Sequence, residues 1–267
     1  MQKHFRVEDA GSPDTPSEEV TSGRTVERSD PQDGVPAVSF HKVEENVIEL
    51  LVVVTPRMNM VLGKRLTEYI IATMGSVAHN FKHPSLQASL KISIVDILLL
   101  DSNFARRQRL EDWSNRNHEE VMGKFCKWAN TLRQHRTWDS AILLNVGNFK
   151  STALGVAHYQ AMCSQDSGCL VVVDRGFGTA DIIAHELGHQ LGAKHDFETG
   201  SECGHAENSQ HSGANQPVSN WLHSQGFNNS SSRHSKRNTL MSGILNFEYY
   251  PFRWSACSRA SIQNFLS

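Results

Sequence analysis

Apolar and polar positions alternate along this chain in two different periods. Val47–Thr55 is a nearly unbroken β-branched and aliphatic run ending at Pro56, which predicts a strand buried on both faces. From Met58 to Phe81 the residues Val61, Leu62, Leu66, Ile70, Met74, Val77 and Phe81 recur at helical spacing. His83-Pro84 stops that pattern, because a residue before proline avoids the α region. Leu90–Leu100 reads as a second strand and Leu110–Arg133 as a second helical stretch, with Val121, Phe125, Trp128 and Leu132 on one stripe. Asp139–Val146 and Cys169–Asp174 predict further buried strands, and Ala153–Tyr159 a shorter, less apolar one. Gly178-Thr179 opens another helix with Thr179 as its N-cap, and Ser258–Leu266 closes the sequence as a short helix. Strands alternating with long helices predict an α/β layer structure around a largely parallel sheet.

Two segments lack either period. Residues 1–45 carry Pro13, Pro16, Pro31 and Pro36 among many Ser, Asp and Glu, too few apolar groups to offset the entropy of ordering them. They read as a flexible tail, a linker or the remnant of a pro-segment, in front of one domain over 46–267. Gly200 to Asn238 is a long polar loop. Asn228 and Asn229 sit in N-x-S sequons there, which bear on a secreted chain alone. His205, His211, His223 and His234 are irregularly spaced in the same loop and read as solvated residues.

Composition narrows the function classes. In 267 residues, 26 basic side chains face 28 acidic ones, so nothing in the charge points to a nucleic acid or an anionic membrane. No apolar run approaches the ~20 residues of a membrane span, and no signal-peptide pattern opens the sequence. The 14 histidines are many, and five cysteines are an odd number. An odd count leaves one thiol over in a disulfide-using protein, so either the thiols are reduced or the chain is cut from a longer one.

The chemistry concentrates in His185-Glu186-Leu187-Gly188-His189-Gln190-Leu191-Gly192-Ala193-Lys194-His195-Asp196. On a helix, His185 and His189 project from the same face, at the spacing two imidazoles need to share one zinc. Ile183, Leu187 and Leu191 form a separate apolar stripe for the core. Gly192 can turn the chain back at positive φ and bring His195 round as a third ligand. Three neutral nitrogens leave a fourth tetrahedral position open, as in catalytic zinc sites. Glu186, beside a ligand without being one, is placed to act as general base on a zinc-bound water.

This segment resembles the metzincin zinc endopeptidases, and Asp196 after the third histidine marks the adamalysin (reprolysin) branch. Ile48-Glu49-Leu50, Phe125-Cys126-x-Trp128, Trp138-Asp139-Ser140-Ala141-Ile142-Leu143-Leu144, Met162-Cys163 with Cys169, and Trp254-Ser255-Ala256-Cys257-Ser258 extend the likeness to the ADAMTS group over about residues 46 to 267. The resemblance implies a metzincin fold: a twisted, mostly parallel sheet with one antiparallel edge strand, long helices, an active-site helix, and a small irregular C-terminal part. In that part Met241 falls at the family's Met-turn. It further implies a protein or peptide substrate bound along Ala153–Tyr159 by β-augmentation, and a primed-side pocket lined by Gly243 to Asn246. Glu49 and Asp139 match positions of a structural Ca2+ site whose other ligands lie beyond Ser267. Family pairing implies Cys126–Cys169 and Cys203–Cys257 and leaves Cys163 without a partner in this chain. A bridge from Cys163 to Cys169, or five free thiols in a cytosolic metallopeptidase, are the alternatives. The implied protein is a secreted zinc metalloendopeptidase acting on extracellular proteins, with further C-terminal domains. A secreted binding or scaffold module that keeps the zinc-stabilised fold without turnover is the runner-up.

Overall fold

Alternation along the central strand decides how the layers stack. The structure, a computed structural model, describes residues 4–5, 46–88, 90–110, 112–197, 203, 239–245 and 252–267. The rest of the first 45 residues, the sequons at Asn228 and Asn229, the loop histidines and Asn246 lie outside them. Strand β2 (Asn46–Val54) is flanked by β3 (Leu90–Leu99) and β4 (Ser140–Asn145), both parallel to it. Its Leu50, Val52 and Val54 point to one side and Leu51 and Val53 to the other, and none of the five is exposed. From Leu50 to Val54 every side chain is therefore covered by a layer, which is why that stretch reads as continuously apolar.

One layer is α2 (Leu66–Lys82) with α5 (Thr179–Gln190), whose Ile70, Met74, Val77, Ile183 and Leu187 pack on Leu50, Val52, Ile142 and Leu170. The opposite layer is α4 (His118–Leu132), with Val121, Phe125 and Ala129 on Leu51, Val53, Leu143 and Val171. Strand β6 (Cys169–Val173) runs parallel to β4, and the edge strand β5 (Gly155–Ala157) runs antiparallel to β6. The order is β1-β3-β2-β4-β6-β5. Leu50 pairs with Ile94 and Leu51 with Asp96, so Val95 is the extra residue of a bulge.

Several expectations change in detail. Strand β1 (His4–Phe5) pairs antiparallel with Leu98 and Ile97, adding a second antiparallel edge from the segment read as tail. The helix expected over 58–81 is broken. α1 (Pro56–Leu62) and α2 are separated by a 3-10 turn at Gly63–Arg65, where Gly63 takes φ 53°. Pro56 opens α1 as well as ending the strand, and the Thr55 hydroxyl caps it by accepting the Met58 N–H at 3.3 Å. The stretch from Leu110 is helical only from His118, after Asn117 caps α4; a short α3 (Ser102–Gln108) precedes it. Leu110 and Trp113 are buried all the same, joined by an indole N–H to carbonyl bond of 2.9 Å.

Thr179 is not the cap of α5. Gly178 holds that position, and the Thr179 hydroxyl instead accepts the Arg175 N–H at 2.7 Å and donates to Asp174 at 2.6 Å. The final helix, α6 (Ala256–Leu266), starts two residues earlier than expected because Ser255 is its cap, accepting the Ser258 N–H at 3.0 Å. Disulfides join Cys126 to Cys169, tying α4 to β6, and Cys203 to Cys257 at the start of α6. Cys163 is the free cysteine.

Candidate metal centre

Helix α5 delivers His185 and His189 from one face, and the turn after it delivers His195. Leu191 is the last residue to close an α-type bond, onto Leu187, and Gly192 then takes φ 88°. The Ala193 N–H reaches back to the Gly188 carbonyl at 2.9 Å, which closes the helix end and redirects the chain. The three Nε2 atoms end up 3.1 Å from one another in every pair. Two nitrogens sharing one tetrahedral zinc at ~2.0–2.1 Å lie about 3.3 Å apart, so the spacing fits a single small cation.

The other ring nitrogens explain why the lone pairs converge. His185 Nδ1 donates to the Leu240 carbonyl at 2.5 Å, and His189 Nδ1 donates to the Ala193 carbonyl at 2.8 Å. A carbonyl only accepts, so Nδ1 carries the proton in both rings and Nε2 is left bare. Burial, with His189 beside it, pushes the His185 imidazolium down to about 3, so the ring stays neutral. The bare nitrogens of His185 and His189 at 3.1 Å repel one another, and a metal ion is the group that relieves this. Among the described residues, these three form the one group of three or more donors arranged for a metal.

Glu186 is 5% exposed, and burial pushes its carboxyl up to about 8. Met241 is fully buried beneath the helix. Gly188 makes that possible, since a Cβ there would lie 2.6 Å from Met241 Sδ and 3.1 Å from the Trp254 ring. A glycine inside a helix is costly and marks a close approach of this kind, so Gly188 was readable as more than a spacer. Asp196 locks the turn to the C-terminal part. Its N–H donates to the Met241 carbonyl at 2.7 Å, and its carboxylate accepts from Ser255 at 2.7 Å and Ser258 at 3.3 Å. Burial raises its pKa while those hydroxyls oppose the rise. Ser255 and Ser258 appear in the sequence only as part of the Trp254–Ser258 motif, which assigns them no role.

The remaining candidates fall at two other places. Asp139 accepts the Glu49 N–H at 2.8 Å, and the Asp139 N–H donates to the Glu49 carbonyl at 2.8 Å, so Glu49 within β2 meets Asp139 just before β4. The Cys163 thiol lies 3.3 Å from the Asp139 carboxylate, and burial together with that carboxylate pushes it up to about 11. On the α5 side, a cavity of about 910 Å3 is lined by Leu154, Ala180, Asp181 and Leu245 among others. Asp181 of that lining stands one helical turn before His185 on α5. Gly243 packs on the His195 ring, its missing Cβ 3.5 Å from Nδ1.

Comparison with known proteins agrees with this geometry. The chain is similar to A disintegrin and metalloproteinase with thrombospondin motifs gon-1 of Caenorhabditis elegans, 27% identical over 83% of this chain and 9% of that protein. It is 29% identical to A disintegrin and metalloproteinase with thrombospondin motifs 7 of Homo sapiens, over 84% of this chain and 12% of the relative. With motifs 10 of Homo sapiens it shares 27% identity over 87% of this chain and 20% of that protein. The chain thus spans no more than a fifth of the length of these three relatives. The family described as Reprolysin_5, Metallo-peptidase family M12, matches residues 44–243, which include all three histidines, Glu186 and Met241. Fold, histidine triad and family match converge: the chain belongs to metallo-peptidase family M12, as an ADAMTS-type metzincin catalytic domain.

Proposed function

We propose that this chain is a zinc endopeptidase domain, residues 46–267 behind a linker or pro-segment remnant, that hydrolyses peptide bonds of extracellular proteins. The observation that carries the reading is the trio of Nε2 atoms at 3.1 Å, two of them bared by backbone acceptors, beside a buried carboxylate. His185, His189 and His195 would hold the ion. Zinc bound there supplies Lewis-acid chemistry, acidifying a water and polarising a carbonyl. Glu186 takes the proton of the attacking water and hands it to the leaving amine. A carboxyl raised towards neutral pH by burial can hold that proton between the two steps. The substrate backbone lies antiparallel on the outer edge of β5, which pairs with no further strand among the described residues.

Two disulfides favour an oxidising compartment, and among the described residues no helix is long and apolar enough to cross a membrane. Secretion fits both. Glu49 and Asp139 contribute to a calcium site in this reading, for which a melting temperature that rises with added Ca2+ is the check. The main test is direct. Purified protein should bind one zinc per chain and cleave a denatured protein substrate, with loss on chelation. A wild type that binds zinc and yet cleaves nothing in a broad peptide library returns the scaffold reading.

A further inference from the structure

The base of the proposed reaction touches a residue that no motif singles out. Gly155 opens β5, the edge strand packed against α5, and pairs with Val172 of β6. A Cβ built on Gly155 falls 2.6 Å from Oε1 of Glu186, 2.8 Å from its Cγ and 2.9 Å from its Cδ. All three nearest atoms belong to that one side chain, and each lies closer than a real Cβ ever comes. Gly155 is not among the glycines at positive φ, so its backbone is open to any L residue. Within a strand a glycine otherwise loses packing and entropy. What its bare Cα supplies is room for Glu186.

The carboxylate needs that room, because nothing polar holds it. Among the described residues no hydrogen-bond donor reaches the Glu186 carboxylate, and the only influence on its pKa is burial. Its position is set by walls. Resting on the assignment of Glu186 as general base, the geometry points to Gly155 as a positioning residue: its missing side chain sets where the carboxylate stands relative to the strand that pairs with substrate. Base and peptide then share one reference, the backbone of β5. A methyl at Gly155 must rotate Glu186 away or lift β5 off α5. A base must come within ~2.6–3.2 Å of the proton it takes, and misplacement by 1 Å costs on the order of 10²-fold in rate.

The test uses Gly155→Ala, Glu186→Asp, Glu186→Ala, Glu186→Gln and the double variants of Gly155→Ala with Glu186→Asp and with Glu186→Ala, all in the zinc-loaded chain. Zinc content, melting temperature, kcat and KM are read for each. Gly155→Ala should keep one zinc and a KM within about twofold of wild type, while kcat falls about 10²-fold. Glu186→Asp withdraws the carboxylate by one methylene, so the double variant should match Glu186→Asp alone rather than multiply the two losses. Independently of activity, Gly155→Ala should lower the melting temperature, and adding Glu186→Ala should abolish that loss. Multiplicative rates, a kcat for Gly155→Ala within about threefold of wild type, or a melting loss that persists with Glu186→Ala would each overturn the inference. Failure of Gly155→Ala to fold in both backgrounds overturns it too; failure only with Glu186 present supports it. An active Glu186→Gln removes the general-base reading and this inference together. An inactive Glu186→Gln beside an active Gly155→Ala removes this inference alone.

Discussion

The two faces of the sheet are built from the same strands and are used differently. On the α4 face, Leu51, Val53, Leu143 and Val171 meet Val121, Phe125 and Ala129, and a disulfide to β6 closes the contact. On the α5 face the aliphatic packing is as complete, yet the four charged or imidazole groups buried among the described residues, Asp181, His185, Glu186 and Asp196, lie there. Burying such groups without full pairing costs stability, and here one helix carries three of them. One face is optimised for cohesion. The other gives up some cohesion so that imidazoles stay neutral and a carboxyl stays within reach of protonation.

Substitutions on either side can break or sharpen that contrast. The largest expected effect is functional and confined to the α5 face: Glu186→Gln should lower kcat/KM by about 10³–10⁴-fold, with zinc content and fold retained. Steady-state kinetics beside metal analysis decide it, and a loss of less than tenfold would break the contrast. Next comes the α4 face, where Phe125→Ala should cost about 3–5 kcal/mol in denaturant unfolding. Its activity per folded molecule should not change. Removing the Cys126–Cys169 bond, by Cys126→Ala with Cys169→Ala, should cost about 2–4 kcal/mol and likewise spare zinc affinity. A drop in affinity would mean that the two faces are coupled through β6.

The smallest effect is a matter of pH. Burial raises the pKa of Asp181, against a lowering by the Asn80 side chain that donates to it at 2.9 Å. A raised folded pKa contributes stability below the unfolded value of about 3.9, and that stability fades as pH rises through the folded value. Asp181→Asn should therefore melt higher than wild type at neutral pH, and the gap should close towards about pH 4. A gap that stays constant with pH would show that the carboxylate is not held against its charge.

The sequence was more legible where one segment carries its own logic. The run from His185 to Asp196 holds ligand spacing, apolar stripe and turn glycine within twelve residues, and local periodicity alone placed them. The buried strands read equally well, because β2, β4 and β6 are covered on both sides. What escaped depends on pairs distant along the chain. The acceptor that fixes the His185 tautomer is a backbone carbonyl at Leu240, and a carbonyl has no signature in composition. Gly155 meets Glu186 only once β5 lies on α5. Thr179 looked like a cap until Asp174 and Arg175 took its hydroxyl, and Gly63 broke a helix whose apolar spacing ran straight through it.

The bond from His185 to Leu240 has a consequence for the order of events during synthesis. It joins residues 55 apart, and all three imidazoles leave the ribosome before the carbonyl that orients the first of them. A nascent chain that has all its metal-binding side chains therefore still lacks the partner that aims one lone pair. Tight capture of the ion has to wait for the segment around Met241 to dock. The centre is thereby completed only once Leu240 has been made, although its ligands all lie upstream.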